Sequence, residues 1–516
     1  MENNSLRDID RKIRRQCFQL RHGEFSVFIN KFFRLRAAIT RVSSLYFSST
    51  RLWVEMAKIA PDFTKSLARF RLSRKGKKSL DSSVNKILAL SQFHRDAQQT
   101  AKALEVLEVG VKSFPKSIDL RKSVAQLHFV RGEWSKYLIH STETDQLMEQ
   151  IARDQSLDET GIRFLGNDWT GPLGHISMLD AVIKLRELNL LSNEKRVLLY
   201  DRRYVANRAL LNLFVPWIPS INSNRLVIDA FVKKFGAVVD QVPMYRLKSG
   251  VVDQWSAIDV ANQEWSRRKR DPLIKLPEEI GIKGKAILAR WGISIDEWFV
   301  LVHVREGSHR SQARLQNADI ASYLPMIREI VRRGGWVVRM GSPSMTPLPA
   351  MPRVIDYAHA VERVAWMDVF LWAKARFSIA TNSGGSEVPM CFGIPAIRTN
   401  YSSFGHCSYF EKSFMVPKLY KLKGDRSTMS LAQTLTTPIP WCESTVHENI
   451  QFEVIDNSPQ DLVNAVVEMF TRLESDNWEL SRGQTRAQEI RRAGGAVGNL
   501  PIAESFLENH PSFSAI

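Results

Sequence analysis

The sequence predicts an α/β protein in which two lobes, each built on a parallel β-sheet, follow an α-helical N-terminal region. Three observations carry that expectation. Residues 81–155 place apolar side chains three and four positions apart, the period of helices. From about residue 160, short β-branched and aromatic runs alternate with amphipathic stretches, the texture of βαβ units. At residue 297 the alternation begins again, more sharply.

The totals fit this picture. A chain of 516 residues exceeds one ordinary core. With 44% apolar and 24% charged residues it belongs among globular proteins. There is no run of about 18 uncharged apolar residues to span a membrane. The opening "MENNSLRDIDRKIRRQ" lacks the apolar core of a secretory signal. Cys17, Cys391, Cys407 and Cys442 stand far apart with no CxxC spacing. They read as reduced thiols of a cytoplasmic protein, not as a disulfide framework or zinc site.

Residues 1–80 form a basic arm. They hold 19 Lys or Arg against 6 Asp or Glu, which accounts for most of the net charge of +18. Within the arm, "FSVFINKFFRLRAAITRVSSLYFSSTRLWVEMAKIA" interleaves cations with aromatic and aliphatic residues. Two readings stand: a basic amphipathic helix on an anionic membrane surface, or a helical subdomain with its aromatic residues turned to a core. Nucleic acid is not expected as a partner, because no nucleic-acid-binding motif accompanies the charge.

Residues 81–155 follow as a helical segment. Its "ALEVLEVGVKSFPKSIDLRKSVAQLHFVRGEW" resembles tetratricopeptide repeats, a helix, a Phe-Pro break and another helix. One repeat and part of a second are too few for a solenoid, so a helical appendage is expected.

The first lobe is expected over 156–293. "IRFLG" (162–166) is its first strand, "NDWTGPLGH" (167–175) a Gly-rich loop, "ISMLDAVIKLREL" a helix and "RVLLY" (196–200) the next strand. The second lobe is expected over 294–480. Here "EWFVLVHV", "GWVVRMG", "RFSIAT" and "IPAIRTN" are strands, and "IASYLPMIREIVRRG" and "WMDVFLWAKA" are helices. "SPQDLVNAVVEMFTRL" (458–473) is a long helix with Ser458 as its cap and Pro459 in its first turn. Residues 481–516 are a tail expected to pack back on the lobes. Two such lobes in series imply a cleft between them.

Ligands of open parallel sheets bind beyond the carboxyl ends of the strands. Two stretches of the second lobe lie there. "ATNSGGSEVPMCFG" (380–393) turns from strand to helix, and Asn382, Ser383, Gly384, Gly385 and Ser386 offer N–H and hydroxyl groups to an anion. The same residues also serve a plain turn. "HVREG" (303–307) puts His303 and Arg305 on one face of a strand end, where Arg305 suits a phosphate. In the first lobe, Asp168 and His175 are the candidate bases. Glu306 and Glu387 are weaker candidates, for catalysis or for holding hydroxyl groups. No carboxylate pair stands at a strand end to bind a divalent ion, so a metal-independent site is expected.

The order "VLVHVREG … NADIASYLPMIREIVRRGGWVVRMGSPSM … VIDYAH … WMDVFLWAKARFSIATNSGGSEVPMCFGIPAIRTN" resembles the C-terminal half of GT-B glycosyltransferases, whose two lobes are Rossmann-like. It is most similar to a bacterial group linked to surface polysaccharides. "TNSGGSEVPMCFGIPAI" looks like a segment of heptosyltransferases, and "HVRE" resembles the "HVRRTD" of fucosyltransferases that use a GDP-sugar. "TGPLGH" is similar to the acceptor-side "GGTGGH" loop of related enzymes. The resemblance spans roughly 160–510. It implies transfer of a sugar from a nucleotide-sugar, which is a substrate and not a cofactor, to a glycan or lipid-linked acceptor at the inner face of the plasma membrane. Thr381 stands where heptosyltransferases have Asp, and Glu306 where the fucosyltransferase motif has a second Arg, so the donor does not carry over. A nucleotide-sugar epimerase on the same fold and a non-catalytic helical-repeat adaptor are the alternatives.

Overall fold

The structure, a computed structural model, describes residues 78–97, 99–306, 315–441, 452–475 and 478–514. Most of the basic arm therefore lies outside the described residues. The helical segment consists of four helices, Lys78–Asp96, Thr100–Ser113, Ile118–Val130 and Trp134–Asp154. The Phe-Pro break separates the second from the third, and Ser117 caps the third by accepting from the Leu120 amide. Ile87, Leu107, Leu120 and Leu127 close a small core among the first three.

The first lobe holds β1 (Ile162–Leu165), β2 (Lys195–Tyr200), β3 (Ser220–Asn222) and β4 (Val239–Asp240) in the order β3-β2-β1-β4, all parallel. A hairpin of β5 (Met244–Leu247) and β6 (Gly250–Asp253) follows. The second lobe holds β7 (Phe299–His303), β8 (Trp336–Arg339), β9 (Val354–Ile355), β10 (Ser378–Ala380), β11 (Ala396–Tyr401) and β12 (Phe414–Pro417). Their order is β12-β11-β10-β7-β8-β9, again all parallel. A small antiparallel pair, β13 (Leu419–Leu422) and β14 (Phe452–Ile455), lies beside it. The two-lobed α/β architecture with helices ahead of it is thus the one the sequence predicts.

In each sheet the chain starts in the middle, runs to one edge and then returns to the other side of its first strand. The reversals fall between β1 and β4 and between β10 and β7. Crevices open at such switch points, beyond the strands' carboxyl ends. The segments leaving β1, β7 and β10 there are 166–172, 304–306 and 381–387.

The two lobes share a core. Leu165, Trp169 and Ile176 of the first belong to one apolar cluster with Phe299, Leu301, Phe370 and Val388 of the second. The other face of the second sheet packs against helices Leu324–Arg332 and Pro459–Glu474 through Ile327, Ile330, Val466 and Met469. The long helix starts as expected: Ser458 and Asp461 cap each other's amides at 3.1 and 3.0 Å, with Pro459 at its first position. Ala487, Ile502 and Phe506 of the C-terminal tail join that same core.

Candidate functional site

The Gly-rich segments of the two lobes meet backbone to backbone. A Cβ built on Gly384 would lie 2.5 Å from the Gly174 nitrogen, and one built on Gly174 would lie 3.0 Å from the Gly384 Cα. Only glycine permits this approach. Around the contact is a cleft of about 390 Å³, lined from the first lobe by Gly174, His175 and Asp180 and from the second by Arg305, the Asn382–Glu387 turn and Arg398. Helix Gln254–Arg267 forms a further wall through Gln254, Ile258 and Asn262.

His175 sits in the first turn of helix Leu173–Glu187. Its Nδ1 lies 2.6 Å from the Asp168 carbonyl oxygen. A carbonyl only accepts, so Nδ1 carries a proton, and in the neutral form of the ring the lone pair lies on Nε2. The Asp168 side chain is exposed and does not line the cleft. The two residues are thus together, with His175 at the cavity and Asp168 behind it.

On the second lobe, the Arg305 amide donates to Thr381 Oγ1 at 2.9 Å, which ties the end of β7 to the end of β10. Asn382 is buried and spends its side chain on bracing. It donates to Ser403 Oγ at 3.1 Å and accepts from the Ser402 amide at 3.2 Å. Ser383 accepts the Gly385 amide on its hydroxyl at 3.3 Å and the Ser386 amide on its carbonyl at 3.0 Å. Two of the turn's N–H groups are therefore already held within it. The Ser386 hydroxyl also donates to the Ser383 carbonyl.

His303 and Glu306 do not line the cleft. Burial, with Arg339 and Arg305 adding to it, pushes the His303 imidazole down to about 4, so it is neutral near pH 7. Glu306 accepts from the Thr346 amide and faces Arg339 at 3.7 Å, which makes it a brace for the 342–346 loop.

The sequence reading missed Arg398. It lies on β11, is 3% exposed, and donates to Glu387 Oε2 at 2.7 Å. A buried guanidinium is costly unless paired. Among the described residues, its buried Nε has no hydrogen-bond partner. The signal was present in "IPAIRTN", where one charge interrupts an apolar strand. Also missed were Asp180 and Lys184, paired at 2.6 Å on the buried face of helix Leu173–Glu187, with Lys184 donating to Asn262 Oδ1 at 3.1 Å. Among the described residues, no group of three or more His, Cys, Asp and Glu is placed to hold a metal ion.

No family model and no curated protein matches the chain. Among solved structures it is similar to the ADP-heptose lipopolysaccharide heptosyltransferase II of E. coli, at 12% identity and a TM-score of 0.38 over 61% of this chain and 99% of that one. It is similar to a glycosyl transferase of family 9 from Veillonella parvula, at 10% and 0.29 over 46% and 79%. It is also similar to the iron-containing dodecameric glycosyltransferase TibC of enterotoxigenic E. coli, at 13% and 0.33 over 61% and 77%. All three are sugar transferases by their descriptions; the reading that follows rests on the cleft itself.

Proposed function

We propose that the chain is a glycosyltransferase that moves a sugar from a nucleotide-sugar to a glycan or lipid-linked acceptor in bacterial surface-polysaccharide synthesis. The observation that carries the reading is the shared cavity: an imidazole from one lobe and two guanidinium groups from the other line one space beside the topological switch points.

In this reading the donor's phosphates lie beyond the ends of β7 and β10, against Arg305, Arg398 and the Ser383–Ser386 turn. A charge-assisted contact from Arg305 is worth about 1.5–3 kcal/mol. Negative charge grows on the nucleotide as it leaves. Cations fixed in place beforehand stabilise that charge without reorganisation, and take the part a divalent ion plays elsewhere. The Glu387 carboxylate holds Arg398 in position and is available to donor hydroxyl groups. His175 Nε2 takes the proton of the acceptor hydroxyl as it attacks the anomeric carbon, and the Asp168 carbonyl steadies the imidazolium that forms. The basic arm would keep the enzyme at an anionic surface, where a lipid-linked acceptor is met.

Thermal-shift titration of the full chain with nucleoside mono- and diphosphates and their sugars tests the reading, because a specific ligand raises the melting temperature by its binding free energy. One nucleotide series should stabilise the chain. Arg305→Ala should weaken that nucleotide about ten-fold or more while the unliganded melting point stays put. No stabilisation by any nucleotide, or undiminished affinity in the folded variant, overturns it.

A further inference from the structure

Helix Gln254–Arg267 leads away from the cleft along a line of adjoining cavities. Asn262 lines both the cleft and a neighbouring space of about 360 Å³. Ser266, Phe410 and Lys412 line that space and a third of about 870 Å³, more than twice the cleft. The helix has 14 residues, so it carries this line over about 20 Å.

The third cavity is lined by Tyr409, Phe410 and Trp478 together with Gln263, Gln488 and Arg492. Aromatic faces take the C–H faces of pyranose rings, while amides and guanidinium groups take their hydroxyls. The wall is set in advance. The buried Asp259 carboxylate accepts from the Tyr409 amide at 2.6 Å, from the Asn499 amide at 2.9 Å and from Gln263 Nε2 at 2.6 Å, which joins three segments of the wall. Gln488 Nε2 donates to the Asn499 carbonyl at 3.0 Å. These bonds fix both amide groups, and among the described residues no donor is bonded to their carbonyl oxygens. The Trp478 ring is stacked at 3.6 Å by the guanidinium of Arg472, which is itself paired with Glu468 at 2.6 Å.

We infer that this cavity binds the oligosaccharide portion of the acceptor, several sugar units back from the hydroxyl that reacts in the cleft. The inference rests on the glycosyltransferase reading and names the acceptor class for it: an extended glycan, held by its length and not by its terminal sugar alone.

The test is a printed array of bacterial oligosaccharides, probed with the full chain in the absence of any donor. Glycans of three or more sugars should be retained and their single-sugar units should not. Trp478→Ala should weaken retention ten-fold or more. Because Trp478 covers Arg472, the exposed pair Gln263→Ala with Arg492→Ala serves as the second variant and should weaken retention likewise. Both variants should keep the parental nucleotide-induced thermal shift. An array with no retained glycan, or retention equal in parent and variants, overturns the inference. If a nucleotide stabilises the chain and no glycan binds, this inference alone fails. If glycans bind in a Trp478-dependent way and no nucleotide does, the transfer reading fails and the glycan site stands.

Discussion

At the residue scale, the proposed base in the cleft is oriented by a backbone oxygen. His175 Nδ1 bonds the Asp168 carbonyl, not its carboxylate. Asp168→Asn should therefore turn over at near the parental rate, whereas His175→Ala should lower kcat by about 10²–10⁴-fold with nucleotide affinity kept. Steady-state kinetics on both decide, and loss of turnover in Asp168→Asn alone would move the base to the carboxylate. The two glycines of the 383–386 turn have different work. Gly384 touches the backbone of Gly174, so Gly384→Ala must part the lobes, an overpacking that costs about 1–3 kcal/mol. A Cβ on Gly385 would meet nothing nearer than Ser383 Oγ at 3.8 Å and Leu173 Cδ2 at 3.9 Å, so a methyl group fits there. Gly385→Val should keep its melting temperature and lose donor affinity by crowding the phosphates. A folded Gly385→Val that binds nucleotide like the parent would reduce this segment to a turn.

At the scale of elements, the helical segment is joined to both lobes by packed aromatic rings, Trp134 meeting Trp255 edge-on and stacking on Trp441. Trp134 lies 5.4 Å from Trp255 and 5.8 Å from Trp441, and His406 stacks on Trp255 at 3.9 Å. His406 is 0% exposed, its Nε2 faces the Trp441 carbonyl at 3.2 Å, and burial pushes its imidazole down to about 4. Its folded pKa lies below the unfolded value near 6.5, so the stability it contributes is complete above about pH 6.5 and is lost as pH falls towards 4, up to about 3 kcal/mol. His303 titrates in the same sense. Urea unfolding from about pH 7 to about pH 5 should show the loss, and His406→Phe should flatten the slope; an unchanged slope would place the proton elsewhere. Such local features divide what the sequence disclosed from what it hid. The Ser458 cap, the strand ending at His303 and the Gly-rich turn were legible, because each is decided by neighbours along the chain. Arg398 was not, because Glu387, its partner, reaches it only after a helix and a turn. Arg163 and Arg196 were likewise hidden: both converge on Asp240, which lies 77 and 44 positions away. Nor did the sequence reveal that Gly384 serves Gly174, a contact across two lobes.

At the scale of the whole molecule, the charge is divided by region. The described helical segment is fastened to the first lobe by ion pairs, with Arg246 bonded to Asp145 and Glu149 of helix Trp134–Asp154. That guanidinium is matched by the two carboxylates it bonds. Most of the net charge stands in residues 1–80, 19 basic against 6 acidic, and Phe, Leu, Trp and Tyr are interleaved with it. No described helix is long and apolar enough to cross a membrane. A surface attachment would then depend on two additive terms, burial of aromatic side chains at the headgroups and attraction of cations to anionic lipid at about 1 kcal/mol each near the surface. The second is screened by salt over a Debye length of about 10 Å at 0.1 M, while the first is not. Sedimentation with vesicles containing phosphatidylserine should therefore pull down the full chain at low salt, less at high salt, and little with phosphatidylcholine alone. A chain beginning after residue 80 should remain in the supernatant throughout while keeping its nucleotide-induced thermal shift, since the cleft lies in the lobes. Equal sedimentation of the two proteins would assign the membrane contact to the lobes, and sedimentation of neither would leave the arm's aromatic residues to a protein core.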